Sequence, residues 1–450
     1  MRAKGGRRRR VTRRLLAVLF CAAAAACGEV RKLTLDEARE LAMRQNRGLQ
    51  LARLKAEEAR SKQKAARTDY FPKVLADANY LYFNKRLGTN LALGELGFGI
   101  LPPPLPPIAV PLTVVKQNLL LSTATVGQPL TQLLRVREGV NAAASEADAA
   151  EARTAKGEHD VAFAVEQLYC GVLVAQGQLQ AALLRQQAAE QWLRDAEGAV
   201  ESGTALEVAR IGRRAAVLEA KHAVAAARTQ LADYAEALNV VLGLPVSTEL
   251  ELAPPPPALL PFAAAEDAAA AALHSNPEIL EAGHTVARAR AGLRAARLEY
   301  VPDVTAVGQA FHLEGMPAMP GNFAALGARV SYNLFDFGKR RETVKERQLQ
   351  VTQAETNLQR LKEQLEADVR KAFRAVEQAS QSVEAAREAL SLRQESERIS
   401  RDQFELGLGV EAAYLEAKAA RAAAQADLLR AEAAKRLAIA GLKRLVGGPR

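Results

Sequence analysis

The sequence predicts a mainly α-helical fold with a membrane β-barrel contribution, built from two tandem repeats. Three observations support this prediction. Short motifs recur at two fixed offsets along the 450-residue chain. Residues 136–200 contain no proline and carry a helical spacing of apolar side chains. Segments that follow two of the prolines alternate apolar and polar residues, as half-buried β-strands do.

The two offsets define the repeats. Tyr70–Pro72 recurs as Tyr300–Pro302, 230 residues later, and Leu238–Pro245 recurs as Leu442–Pro449, 204 residues later. The offsets differ by 26 residues, so one loop is shorter in the second copy. A period this long exceeds the unit of a solenoid and indicates two halves of one pseudo-symmetric body. We assign the repeats to residues of about 33–245 and 263–449.

The formal net charge of +10 originates at the N-terminus. Residues 2–14 hold eight of the 61 Lys and Arg residues and no acid, so 53 bases face 51 acids in the rest of the chain. The body therefore lacks the basic signature of a nucleic-acid binder. A cationic start, an apolar stretch and small residues predict a signal peptide over residues 1–26. Cys27 follows a degenerate lipobox, so it is either lipidated or left by ordinary cleavage after an Ala-x-Ala site.

Long helices form most of each repeat. Residues 136–200 and 365–390 place apolar side chains at the three- and four-residue steps of a coiled-coil seam. About 65 residues make a rod of roughly 100 Å, which must pack sideways against other helices. Within it, Cys170 is expected to be a small core residue. Gly203 and Gly407 each mark a turn into a returning helix. The returning helices are predicted to end near Leu242 and Leu445, and further helices to span about 35–70 and 265–300, with a turn at Asn276-Pro277.

Four strands are predicted, at residues of about 73–84, 116–131, 303–312 and 325–335. Segments of about ten residues with one apolar side are typical of outer-membrane barrel strands. Four strands cannot close a barrel, because the smallest membrane barrels have about eight, and an open edge in lipid leaves backbone groups unpaired. Several chains must therefore share one barrel, unless the strands form a small soluble β-subdomain. The proline-rich loop Leu101–Pro111 is predicted to be extended and exposed.

Four segments resemble the outer-membrane efflux protein family, the TolC-like channels. They are Tyr70–Pro72, Tyr300–Pro302, Tyr332–Gly338 and Phe404–Val410, and the likeness extends from about residue 33 to 446. The resemblance implies a homotrimer with a twelve-stranded barrel in the outer membrane and a twelve-helix tube in the periplasm. It also implies passive conduction of substrate from an inner-membrane pump, joined through a periplasmic adaptor protein, in a tripartite efflux or type I secretion system. The helix–strand transitions would be Pro72, Pro302, Leu334, Asp336 and Gly338.

The same resemblance places functional residues at the helical turns. The adaptor contacts would be Ser202, Gly203, Thr204, Leu406, Gly407 and Leu408. Relatives latch the aperture with a Tyr and an Arg, at positions that Phe404 and Gly409 occupy here. Of two acidic ring positions, this chain keeps one, Glu416, and three copies of it facing a narrow pore would favour cations. Phe404, Gly409 and Glu416 are therefore the gate candidates.

The residues suggest no catalytic centre, metal site or cofactor, and we expect no enzyme. The five histidines have no metal-ligand spacing, and no nucleophile–base pair stands out. One alternative remains, an exported coiled-coil scaffold or adaptor without a pore. That alternative leaves the alternating segment Leu326–Leu334 unexplained. The sequence does not identify the cargo, whether drug, metal or protein.

Overall fold

The computed structural model describes residues 31–92, 109–317 and 319–447. The predicted signal peptide, Cys27 and residues 101–108 of the proline-rich loop lie outside the described residues. The chain divides into two compact units. The first holds the residues up to Leu54, Ala152–Leu280 and the residues from Arg360 onward, and the second holds Lys55–Glu151 and Glu281–Gln359.

The predicted long helices and their returning partners are present. The prediction of a turn at Asn276-Pro277 is confirmed, and the helix predicted over residues 35–70 is divided in the same way at Asn46. The first long helix begins and ends within a few residues of the predicted 136–200, whereas its counterpart in the second repeat extends well beyond the predicted seam of residues 365–390. The described helices are α1 (Leu35–Gln45), α2 (Arg47–Thr68), α3 (Gln132–Glu201), α4 (Glu207–Leu242), α5 (Ala265–Ser275), α6 (Pro277–Arg297), α7 (Lys339–Glu405) and α8 (Glu411–Val446).

The core of the first unit forms where α1 and the end of α4 pack on the middle of α3. Strand β1 (Arg31–Leu33) also contributes and pairs in parallel with β6 (Leu250–Leu252). Tyr169 is fully buried, and its hydroxyl lies 2.9 Å from the Leu33 carbonyl and 2.5 Å from the Ala253 carbonyl. Cys170 is 3% exposed, as expected for a core residue, and burial raises the pKa of its thiol to about 11.

Two asparagines make equivalent joints, one in each repeat. Asn46 ends α1 and Asn276 ends α5, and each side-chain oxygen accepts an N–H from the first turn of the following helix. The side-chain nitrogen of Asn46 donates to the Val241 carbonyl at 2.9 Å, and that of Asn276 donates to the Leu445 carbonyl at 2.7 Å. Each asparagine therefore caps one helix and holds the end of another.

A glycine completes each joint. Gly243 follows α4 with φ +75°, and Gly447 follows α8 with φ +69°, a backbone conformation that favours glycine. A Cβ on Gly243 would lie 2.7 Å from the Gln45 carbonyl oxygen, and one on Gly447 would lie 2.6 Å from the Ser275 oxygen. Both positions therefore require glycine for its conformation and for its size.

The second unit contains an antiparallel four-stranded sheet in the order β2-β5-β7-β8. Its strands are β2 (Lys73–Tyr82), β5 (Asn118–Pro129), β7 (Asp303–Glu314) and β8 (Asn322–Ser331). The order joins one hairpin from each repeat through β5 and β7, so β2 and β8 are the edges. A further hairpin, β3 (Leu87–Ala92) with β4 (Ala109–Val115), was not predicted. It lies where the first repeat has its extra residues, and β4 includes the last residues of the proline-rich loop.

The last strand differs from its prediction. Residues 325–335 were expected to be extended, but β8 spans Asn322–Ser331, so Leu334 follows the strand. Ser331 pairs with Asp303, the first residue of β7, and Pro302 before it has no N–H to extend the ladder. The strand therefore ends where its partner begins.

Ion pairs link the helices of the second unit. Arg294 of α6 donates to Glu138 of α3 at 2.8 Å, and Arg290 of α6 lies 2.6 Å from Glu355 of α7. Arg288 pairs with Glu146 of α3 as well. Arginines on two sides of α6 thus bind a different helix on each side.

None of the helices in the described part of the chain is both long and apolar enough to cross a lipid bilayer. The described elements agree with the predicted fold class, long helices plus four sheet strands in two tandem repeats.

Candidate functional sites: the helical turns and the two-faced sheet

The two helical turns, after α3 and after α7, have the same backbone geometry. Gly203 has φ +74° and Gly407 has φ +71°. The N–H that follows each glycine bonds a carbonyl five residues back, from Thr204 to Ala199 at 2.9 Å and from Leu408 to Gln403 at 2.8 Å. This is the Schellman arrangement that ends many helices. A Cβ on either glycine would meet no atom within 4 Å, so only conformation requires glycine there.

The side chains around the two turns differ. In the first turn, the Ser202 and Thr204 hydroxyls lie 3.0 Å apart and both donate to the Ala199 carbonyl. In the second turn, the equivalent residues are Leu406 and Leu408, which are 73% and 79% exposed. Exposed apolar groups of this size at a loop tip are typical of an interaction surface.

Both turns also expose the apolar residue that begins the returning helix. Leu206 is 78% exposed, and its counterpart Val410 is 53% exposed. Neither residue caps its helix with a side-chain hydrogen bond. The predicted adaptor-contact residues therefore lie on two exposed turns, of which the second is the more apolar.

The gate candidates lie beside residues that the sequence analysis missed. The ring of Phe404 stacks on Tyr414, with centroids 6.1 Å apart. The carboxylate of Glu416 accepts a hydrogen bond of 3.0 Å from the indole N–H of Trp192. Arg213 lies over the same indole, 4.5 Å from its centroid. Only the uniqueness of Trp192 in the sequence marked it, and its partners depend on how the helices pair.

The bond between Trp192 and Glu416 belongs to an antiparallel contact between α3 and α8. The same two helices meet at Asp160 with Arg444 and at Glu166 with Arg436, where the paired atoms lie 3.4 Å and 2.9 Å apart. Glu166 is 4% exposed, and a carboxylate in so desolvated a place is stabilised by such a partner. Trp192–Glu416 is the nearest to the turns of the described polar contacts between these helices.

The sheet has two different faces, which the strand register defines. We call the face that carries Val74, Val126, Gly308 and Leu326, one row across all four strands, the convex face. The next row on that face consists of four alanines, Ala76, Ala124, Ala310 and Ala324. The predicted apolar positions of separate strands therefore share one side of the sheet.

The opposite face carries the charges of the mid-strand residues. We call it the concave face. It includes Asp77, Thr125, Gln309 and Arg329, and Gln309 donates to Thr125 at 3.2 Å. On the two central strands every side chain of this face is at least partly covered, whereas several on the other face are exposed. The names convex and concave mark only the more exposed and the more covered face of the central strands.

The transition residues form two kinds of junction. Asp336 accepts the Gly338 N–H at 3.1 Å through one oxygen and the Arg340 N–H at 3.2 Å through the other, so it caps the start of α7. Leu334 is 89% exposed. The carbonyl of Pro302, just before β7, accepts a hydrogen bond of 2.8 Å from the hydroxyl of Thr131, just after β5. Pro72 lies between the end of α2 and β2.

Within the described residues, no group of three or more His, Cys, Asp or Glu is placed to hold a metal ion. Both sites are surfaces: an apolar strip and a polar strip on opposite faces of the sheet, and exposed leucines at a turn.

A tandem-repeat fold of long helices joined to a two-faced sheet with two unpaired edges defines a class of membrane-channel protomer. The sequence profile described as outer membrane efflux protein matches residues 38–244 and 268–448, one segment in each repeat. The chain therefore belongs to the outer membrane efflux protein family, which is a family of channels rather than of enzymes. Comparison with curated protein sequences gave no significant match.

Solved structures show the same fold. The CmeC outer membrane channel of Campylobacter jejuni aligns with a TM-score of 0.74 and 15% identity, over 92% of this chain and 85% of that one. The MtrE outer membrane channel of Neisseria gonorrhoeae aligns with a TM-score of 0.70 and 19% identity, over 92% and 89%. The outer membrane protein VceC of Vibrio cholerae aligns with a TM-score of 0.70 and 15% identity, over 92% and 96%.

Proposed function

We propose that this protein is the outer-membrane channel of a tripartite efflux system, which passively conducts substrate from an inner-membrane pump and a periplasmic adaptor to the cell exterior. One observation carries the proposal. The four-stranded sheet has two unpaired edges, an apolar face and a polar face. Such a sheet is a segment of a barrel that more than one chain must complete.

The edges support a homotrimer. All ten residues of β2 and all ten of β8 are exposed in the single chain, and each strand has one neighbour in the sheet. Pairing β8 of one copy with β2 of the next satisfies both edges and creates no new one. Three copies supply twelve strands, within the range of stable membrane barrels.

The faces support an orientation. The convex face is apolar around Val74 and Leu326, and we assign it to outer-membrane lipid. The concave face carries Asp77 and Arg329, and we assign it to the water-filled lumen. The opposite assignment would place both charges in hydrocarbon, at roughly 2–4 kcal/mol for an Arg near the bilayer centre.

The turns support an adaptor contact at the periplasmic end. Leu406 and Leu408 are exposed on a turn that the hydrogen bond from the Leu408 N–H to the Gln403 carbonyl closes. Burial of exposed leucines against a partner contributes up to about 1.5–3 kcal/mol each. The hydroxyls of the first turn already donate to a carbonyl of their own turn, so fewer of their hydrogen bonds are available to an adaptor.

Gating is assigned to the same end. Phe404, Gly409 and Glu416 remain our aperture candidates, with Trp192 as the residue that holds the Glu416 carboxylate. Since Phe404 offers no hydroxyl and Gly409 no guanidinium, the bond from Trp192 would provide a link between the helical hairpins of the two repeats. Three copies of Glu416 around a pore would favour cations.

Residues 1–26 would direct export, and Cys27 would then be lipidated or become the residue at an ordinary cleavage site. The mature chain would lie in the outer membrane and extend into the periplasm. Passive conduction requires no catalytic residue and no cofactor.

A direct test is the native state and conductance of the protein extracted from outer membranes. We expect a heat-modifiable trimer that conducts ions in a planar bilayer, with cation selectivity that Glu416→Gln reduces. A soluble monomer or dimer that does not conduct would reject the channel. That result would favour the alternative, an exported coiled-coil scaffold or adaptor without a pore.

A further inference from the structure

The polarity of the sheet reverses along its strands. Near the helix junctions, the concave face is polar at Thr125, Gln309 and Arg329. Toward the far end, the same face becomes apolar on β7 and β8 at Phe311 and Phe323, which share a row with Asp77 and Thr123, and in the next row at Leu121 and Leu313. We call this region the apolar patch; it consists of Leu121, Phe311, Leu313 and Phe323.

The apolar patch is continuous. Phe311 and Phe323 are direct cross-strand neighbours, and their rings stack with centroids 4.7 Å apart and planes 16° apart. Leu121 pairs directly with Leu313, which is 9% exposed. Phe323 remains 37% exposed, so one ring of the stack presents surface to whatever lies inside the sheet.

The convex face changes in the opposite sense at the same level. The row there includes Ser122, His312 and Asn322, and the His312 ring nitrogen lies 2.7 Å from the Asn322 side-chain oxygen. Further along, the Tyr80 hydroxyl donates to Asn118 at 3.2 Å. Polar groups and tyrosines on a lipid-facing strand are typical of the membrane–water interface. Contact with hydrocarbon therefore does not explain the apolar patch, because it lies on the other face and beyond the most apolar rows.

Cross-strand aromatic pairs stabilise sheets, and this pair does so too. Stability alone, however, does not require the pair to lie on the face that carries Asp77 and Arg329. An apolar patch exposed to water in the lumen is unfavourable in free energy, and such patches are typical of sites that bind an apolar partner.

We propose that the apolar patch is a contact site for cargo that carries a planar aromatic or apolar group, and that it gives the channel a preference for such cargo over small polar ions. The inference rests on the proposed function, since it requires the concave face to line the lumen. Three copies would place three phenylalanine pairs at one level of the lumen, separated by Asp77 and Thr123 of the same row. Aromatic faces stack on a passing ring at offset separations of about 4.5–7 Å.

The first experiment measures block of the current through the purified trimer in a planar bilayer. Rhodamine 6G is the aromatic cation, and tetraethylammonium is the cation without a ring. For the double variant Phe311→Ser and Phe323→Ser, we expect the half-blocking concentration of rhodamine 6G to rise roughly tenfold, as the loss of an aromatic contact predicts. That of tetraethylammonium should not change.

A matched control lies one residue away on the same strands. Ala310 and Ala324 are also direct neighbours, but on the convex face. The double variant Ala310→Ser and Ala324→Ser should leave both blockers unchanged. If the double phenylalanine variant fails to form a heat-modifiable trimer, Phe323→Ser alone retains Phe311 and should raise the rhodamine value roughly threefold.

A second experiment tests the face itself by thiol modification. A charged methanethiosulfonate reagent should change the conductance of Phe323→Cys and leave Ala324→Cys unaffected. The unmodified chain treated with the same reagent is the control for Cys27. The one cysteine among the described residues, Cys170, is buried, and burial raises the pKa of its thiol to about 11.

The outcomes separate the two proposals. Modification of Ala324→Cys but not of Phe323→Cys would overturn the inference by reversing the faces, while the channel would stand. Equal half-blocking concentrations for the unmodified and double-serine proteins would overturn it as well. A wild-type protein that forms no conducting trimer would reject the proposed function, and the inference with it.

Discussion

The two helical turns share a backbone and differ in their side chains. Gly203 and Gly407 have nearly the same φ, and the hydrogen bond that closes each turn spans the same five residues. On this shared backbone, the first turn carries two hydroxyls that bond to one of its own carbonyl oxygens, and the second carries two leucines whose side chains are exposed.

The joints at the other ends of the returning helices, in contrast, have the same residues in both repeats. Asn46 and Asn276 bond equivalent carbonyls, and Gly243 and Gly447 lie against equivalent ones. These positions tolerate few residue types, because a left-handed backbone favours glycine and an amide that both donates and accepts favours asparagine. The duplicated chain thus keeps what the backbone requires and varies what a partner would meet.

The largest expected effect is at a joint glycine. Gly243→Ala places a Cβ 2.7 Å from the Gln45 carbonyl oxygen, on a residue with φ +75°. We expect a loss of about 2–4 kcal/mol in the free energy of unfolding, from left-handed strain and overpacking together. Thermal unfolding followed by circular dichroism measures it.

The turn glycine is the matched control. Gly203 has φ +74° but open space around its Cβ position, so Gly203→Ala should lose only about 1–2 kcal/mol. Equal losses for the two variants would show that the close approach at Gly243 is relieved by movement of α1.

The sequence predicted the fold better than it predicted the contacts. Helical and strand periods depend on local spacing, which placed α3 and β2 within a few residues of their bounds. The end of β8 and the hairpin β3–β4 depend on pairing with distant strands, which periodicity does not report. The bond from Trp192 to Glu416 joins residues 224 apart, and no local pattern predicts it.

The next effect concerns the asparagine joints. Asn276→Ala removes the donor to the Leu445 carbonyl and the cap of α6, and Asn276 is 5% exposed. Loss of a buried hydrogen bond and a helix cap predicts a destabilisation of about 2 kcal/mol. Asn46→Ala should cost nearly the same, because its contacts are equivalent. A difference of more than about 1 kcal/mol between the two would indicate that the joints are not equivalent in energy.

Exchange of side chains between the two turns tests whether the leucines of the second turn make the adaptor contact. The double variant Leu406→Ser and Leu408→Thr should weaken adaptor contact roughly tenfold or more, because two exposed leucines lose their apolar area. Its fold should persist, since the closing hydrogen bonds are made by the backbone. Dye export from cells that carry the cognate pump and adaptor measures the effect.

The reciprocal double variant, Ser202→Leu and Thr204→Leu, is the control for altered turn chemistry. It removes hydroxyls that already bond within the turn, and we expect export to change little. If this variant lost as much export as the leucine variant, contact would be shared equally by the two turns, contrary to the assignment made from exposure.

The smallest effect is expected at the contact between the repeats. Trp192→Phe keeps most of the ring over which Arg213 lies but removes the N–H that donates to Glu416. Because Glu416 is exposed, water replaces that donor, and the loss in stability should stay below about 1 kcal/mol.

The same variant should nevertheless change the conductance, because the bond links the two hairpins near the proposed aperture. We expect the conductance in a planar bilayer to rise modestly. Glu416→Gln provides the second readout, since Trp192 is the only tryptophan and its fluorescence reports the lost carboxylate directly. An emission spectrum unchanged by Glu416→Gln would mean that the indole and the carboxylate do not meet in the assembled protein, so the two hairpins would be held together by the more distant pairs of α3 and α8.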